Sequence, residues 1–89
     1  MSNIDLFQKT AKYLFENGVM ESEIEITDPD DYKVDDREMF IDSDGGDYWT
    51  RIDDFWYMFD PMTMKVSSSS FDWNEIVWNY GPMFFLGDC

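Results

Sequence analysis

"EMFIDSDGGDYWTRIDDFWYMF", residues 38–59, decides the fold. Three runs within it, "EMFID", "DYWTRI" and "FWYMF", are rich in aromatic and β-branched residues, which suit a pleated, half-buried surface. "SDGG" joins the first two as a tight hairpin, with glycine supplying positive φ. Asp53 and Asp54 stand at the next turn. The stretch therefore reads as three consecutive antiparallel strands. It also poses a packing problem, because bulky groups at consecutive strand positions must point to opposite faces. A meander with two helices covers one face well. The expectation therefore places a few of Trp49, Trp56, Met58 and Phe84 on the outside, as anchors for a partner or for a second copy.

Toward the C-terminus, "DPMT" (60–63) reads as a type I turn into a strand "MKVS", with Asp60 first and Pro61 second. "SSSS" (67–70) reads as a polar spacer, from which Ser69 or Ser70 caps a helix over 71–79 with Asp72 in its first turn. Trp73, Ile76, Val77 and Tyr80 share one face of that helix, and Gly81-Pro82 ends it. "MFFL" (83–86) reads as a last edge strand or a docked tail.

Toward the N-terminus, Ile4, Phe7, Ala11, Leu14 and Phe15 recur at helical steps over residues 3–17. Ser2 with Asp5 resembles a capping box, and Gly18 is a natural stop. "VMESEIEIT" (19–27) alternates like a strand, with Met20, Ser22, Ile24 and Ile26 inward and Glu21, Glu23 and Glu25 outward. "DPDDYKVDD" (28–36) reads as a loop. The expected fold is a single small acidic α+β domain over residues 1–89: an N-terminal helix, an antiparallel β-meander of about four to five strands, and a short C-terminal helix.

Composition narrows the function. Twenty acids stand against six basic residues and no histidine, a net charge of -14, yet 19% of the chain is aromatic. Disordered acidic chains lack such rings, so this one folds. The charge exceeds the roughly 2–8 units that solubility asks of a small domain, and its self-repulsion destabilises the compact state. A merely acidic proteome is the plain explanation; a charged partner is the functional one.

Several classes are set aside. An EF-hand loop starting at Asp42 would place Asp44 third and Asp53 twelfth, but Gly46 falls at the fifth, ligand position and Asp47 at the sixth, where glycine belongs. No metal or cofactor is expected. Without histidine there is no Ser-His-Asp triad, and no phosphate-binding glycine motif is present, so no catalytic residue is expected and the chain reads as a non-enzyme. Six basic residues spread over 57 positions exclude direct nucleic-acid binding. No apolar stretch is long enough to span a membrane, anionic lipid would repel the surface, and the opening lacks a secretory pattern. Cys89 stands alone, so no internal disulfide forms. The expected location is the cytoplasm, that of the host cell if the protein is phage-encoded.

What remains is the clustering of charge. Residues 21–60 hold fifteen of the twenty acids and three of the basic residues. Alternate strand residues lie ~6.6–6.8 Å apart on one face, about twice the 3.4 Å axial phosphate spacing of one DNA strand. Glu21, Glu23 and Glu25 would form such a row. Asp28, Asp30, Asp31, Asp35, Asp36 and Glu38 continue it through the loop. Asp42, Asp44 and Asp47 ring the hairpin, and Asp53 and Asp54 occupy the following turn. In general character the chain resembles the small acidic inhibitors of host nucleases carried by phages and mobile elements, although no motif carries that resemblance.

The leading expectation is a non-enzymatic inhibitor. It presents a DNA-like acidic surface that occludes the nucleic-acid groove of a basic host protein: a restriction, CRISPR or other DNA-binding component. The alternatives are an immunity protein for a basic nuclease toxin, a small adaptor or structural protein binding through exposed aromatics (with homodimerisation as one outcome), and an acidic protein with no charge-specific role.

Overall fold

The three runs of residues 38–59 form the middle of one antiparallel sheet. In the computed structural model, which describes residues 2–18, 24–43 and 46–88, strands β2 (Glu38–Asp42), β3 (Tyr48–Ile52) and β4 (Phe55–Asp60) follow one another as a meander, and β5 (Lys65–Ser69) extends it. The sheet has six strands in the order β1-β6-β2-β3-β4-β5, where β1 is Glu25–Ile26 and β6 is Met83–Asp88. Helix α1 (Asn3–Glu16), a 3-10 turn (Pro29–Asp31) and helix α2 (Trp73–Tyr80) complete the α+β fold.

The consecutive bulky residues are resolved by covering both faces. Phe7 and Ala11 of α1 pack on Met39, Ile41, Tyr48, Ile52 and Phe59. Ile76 and Val77 of α2 pack on the alternate residues, Phe40, Trp49, Trp56 and Met83. Strands β2, β3, β4 and β6 therefore send odd and even side chains into separate cores. This corrects the expectation of outward rings. Trp49 and Trp56 are buried, and Met58 and Phe84 pack partly buried against the two cores. The aromatics that do reach solvent include Tyr13, Phe55 and Trp78.

Three further expectations change. The "MFFL" run is no edge strand: β6 lies between β1 and β2, pairing Phe84 with Glu25 on one side and with Ile41 on the other. Its register shifts between Met39 and Phe40, and Gly87 takes φ +104° there, a backbone region that favours glycine. Ser67, Ser68 and Ser69 are not a spacer but strand residues, facing Met58, Tyr57 and Trp56 across the β4–β5 ladder. The cap of α2 is Asp72. Its carboxylate accepts from Glu75 N–H at 2.9 Å and Glu75 returns the bond to Asp72 N–H, a capping box.

At the other helix, Ser2 Oγ accepts from Asp5 N–H at 3.1 Å as the sequence suggests. The turn after β4 has Thr63 N–H donating to Asp60 O, with Pro61 buried. Of the alternating segment before β1, Met20, Glu21, Ser22 and Glu23 lie outside the described residues; Ile26 is buried, whereas Ile24 is exposed.

Candidate functional site

Strand direction sorts the acids between the two ends of the sheet. β2 begins at Glu38, opposite Asp88 at the finish of β6, and β3 turns into β4 through Asp53 and Asp54. All four, with Asp35 and Asp36 just before β2, gather at one end. Asp42, Asp47 and Asp60 gather at the other.

The first end is held by internal bonds. Asp53 and Asp54 have φ of 52° and 69°, the conformation of a two-residue type I′ hairpin. Aspartate tolerates that region better than most residues, so local geometry already accounts for its presence there. Asp53 N–H donates to Asp36 Oδ1 at 3.1 Å, tying the loop before β2 to the turn after β3. Arg37 N–H donates to Arg51 O at 2.7 Å. Arg51 sends Nη2 to Val34 O at 3.0 Å, and its Nε stands 3.9 Å from Asp36 Oδ1. That ion pair is long and partly exposed, worth roughly 0–1 kcal/mol.

Glu38 lies under this surface. It is buried and accepts from Tyr32 O–H and Asp35 N–H, both at 2.6 Å. Burial, the hydrogen bond to Glu38 and the negative field of Glu38, Asp35 and Asp88 together push the Tyr32 phenol well above its ordinary range. Glu38 is bonded to the Asp35 amide and stands opposite Asp88 across the β2–β6 ladder, which brings the three residues together.

The sequence-predicted acids thus fall into four groups. Asp35, Asp36, Asp53 and Asp54 are exposed and share one end. Asp28, Asp30 and Asp31 belong to the 3-10 turn on the α2 side, where Asp28 Oδ1 accepts from Asp30 N–H and Trp73 Nε1–H donates to Pro29 O. Glu25 is exposed on the edge strand β1. Glu38 and Asp42 are internal. Asp42 is 3% exposed; its Oδ1 accepts from the N–H groups of Gly46 and Asp47, and its Oδ2 from the Trp49 indole at 2.7 Å. Asp47 is half-buried beside it. Glu21, Glu23 and Asp44 lie outside the described residues.

Sequence reasoning missed Asp72 and Asp88. Asp88 reaches the acidic end only through the β2–β6 register, and Asp72 through the entry into α2, which places it near Asp54. The capping pattern of Asp72 and Glu75 was a visible signal for the first; nothing local marks the second. Among the described residues, no group of three or more acids or cysteines is arranged to hold a metal ion, and no helix is long and apolar enough to cross a membrane.

Comparison with protein-family models, with curated proteins and with solved structures finds no match for this chain.

Proposed function

We propose that this protein is a non-enzymatic inhibitor that offers the acidic end of its sheet to a basic nucleic-acid-binding protein and blocks the groove that nucleic acid would occupy. The observation carrying this reading is the meeting of Asp35, Asp36, Asp53, Asp54 and Asp88, five residues from three chain segments, at one end of a hydrogen-bonded sheet. Backbone bonds at the hairpin and the Asp53–Asp36 contact hold part of this surface in place before binding, which lowers the ordering cost of association. Fields of one sign speed encounter with a complementary groove, and salt weakens them. Restriction and CRISPR components, other DNA-binding proteins and basic nuclease toxins offer such grooves. Such an inhibitor acts in the cytoplasm of the cell that holds its target.

The test compares wild type with the Asp35→Asn, Asp36→Asn, Asp53→Asn, Asp54→Asn quadruple variant in capture of basic nucleic-acid-binding proteins. Stopped-flow association is then measured on whatever is captured. Asparagine keeps the acceptor at Asp36 and tolerates the hairpin conformation. Association should slow by roughly 10-fold or more and lose its salt dependence, and DNA should displace the wild-type complex. An unchanged association rate in the quadruple variant overturns the reading.

The adaptor reading has its own observation: Trp78 is 67% exposed on α2 and Phe55 65% exposed at the β3–β4 turn. A partner, or a second copy, held through these rings stays bound in high salt and is lost in Trp78→Ala.

A further inference from the structure

The C-terminal end of α1 sets a reactive pair of residues in the open. Asn17 caps the helix and Gly18 follows it, both exposed. Of the four asparagines, Asn3, Asn17, Asn74 and Asn79, Asn17 alone precedes glycine; Ile4, Glu75 and Tyr80 follow the others. Gly18 takes φ +67°, and nothing lies within 4 Å of where a Cβ would stand on it. The approach from the Asn17 side chain to the Gly18 backbone nitrogen therefore meets no side chain at residue 18. In the closed helix both reacting groups are engaged. Asn17 Nδ2 donates to Tyr13 O at 2.8 Å, and Gly18 N–H donates to Phe15 O at 3.2 Å. These bonds lie in an exposed last turn with no basic residue to support it, where opening costs a helix least.

We propose that Asn17 is a site of spontaneous deamidation, gated by fraying of this turn. Once the turn opens, the Gly18 nitrogen, deprotonated by hydroxide, attacks Asn17 Cγ. The N–Cγ bond forms, the Cγ–Nδ2 bond breaks, and Nδ2 leaves as ammonia. Water then opens the cyclic imide. Opening at Cγ gives aspartate; opening at the backbone carbonyl carbon gives isoaspartate. The net change replaces NH by O, and nothing is oxidised or reduced. Neither product restores the cap. A carboxylate cannot donate to Tyr13 O, and it brings negative charge to the negative end of the helix macrodipole, next to Glu16. Leu14, in the same turn, packs on the core beneath α1, so loosening here costs stability. The inference is independent of the inhibitor reading.

The test incubates the full chain at mildly alkaline pH, in buffer and in denaturing urea, and follows it by peptide mass mapping. Asn17 should gain the mass of the NH-to-O exchange, as a mixture of aspartate and isoaspartate, and faster as pH rises. In buffer the rate should be about 5- to 150-fold below that in urea, the factor by which two exposed hydrogen bonds hold the turn closed. Asn79 is an internal control: its Nδ2 makes the same bond, to Glu75 O at 2.8 Å, but Tyr80 follows it. It should stay intact in buffer. Asn17→Gln, which needs a larger ring to close, should abolish the mass change. Asn17→Asp and the aged wild type should both unfold at lower urea than fresh protein. A rate in buffer equal to that in urea, or below it by more than about 150-fold, overturns the proposal. So does modification of Asn79 as fast as that of Asn17.

Discussion

Asparagine in place of Asp42 removes one negative charge from a chain carrying -14. On general electrostatic grounds that relieves repulsion and stabilises. At Asp42 the opposite is expected. Its carboxylate is buried and accepts three hydrogen bonds at 2.7–3.2 Å, two from the backbone of the β2–β3 hairpin and one from the Trp49 indole. Bonds to a charged acceptor are worth roughly 1.5–3 kcal/mol each, against about 0.5–1.5 for a neutral one. If the asparagine oxygen keeps the two amides, its NH₂ group faces the indole N–H, and a buried donor is left unpaired at a further cost of about 1–3 kcal/mol. The expected loss is about 2–4 kcal/mol, a large share of the roughly 4–13 kcal/mol that holds a domain of this size.

Urea denaturation followed by tryptophan fluorescence reads this directly. With a slope of about 1–2 kcal/mol/M, the midpoint should fall by roughly 1–4 M. Asp54→Asn, an equal charge change on an exposed turn, should move stability by no more than about 0.5 kcal/mol in either direction. The two variants separate structural carboxylates from surface ones. A midpoint for Asp42→Asn at or above that of the wild type would refute the claim that this acid is an internal cap and not part of the charged surface.

Two more outcomes follow from one buried and one partly buried phenol. The Tyr48 hydroxyl is fully buried with no hydrogen-bond partner among the described residues, so Tyr48→Phe should stabilise by about 1 kcal/mol and raise Tm by roughly 4–8 °C in calorimetry. Tyr32 is held protonated by burial and by its bond to Glu38, and Tyr48 by burial alone. Below a pH of about 10, folded and unfolded chains both keep these protons; above it the unfolded chain releases them first, so stability should fall as pH rises. Urea midpoints measured on either side of that value should show the decline, and Tyr32→Phe should flatten it.

The meander was legible because its signals are local. Consecutive aromatic runs, the acidic turn at Asp53–Asp54 and the Asp60–Thr63 turn each mark their own positions, and the structure has strands and turns there. The face of α2 was equally plain, since Trp73, Ile76, Val77 and Tyr80 recur at helical spacing and all join one core. The serines of β5 hid because they lack β-branched or aromatic side chains; their strand conformation comes from pairing with β4. Asp72 hid behind Ser69 and Ser70, which are equally good caps in the sequence. Ser69 Oγ instead accepts from Phe71 N–H, and the helix starts two residues later than expected, at Trp73.

The sequence by itself determined that this chain folds, that it carries a large uncompensated negative charge, and where its meander and helices lie, because periodicity and turn chemistry act within a few residues. Tertiary structure alone decided that β6 enters between β1 and β2, that the two helices take opposite faces, and that Glu38 and Asp42 turn inward while Asp35, Asp36, Asp53 and Asp54 meet at one end. A carboxylate has the same chemistry in every line of sequence; whether it caps a backbone or faces a partner is set by which distant donors the sheet register brings to it.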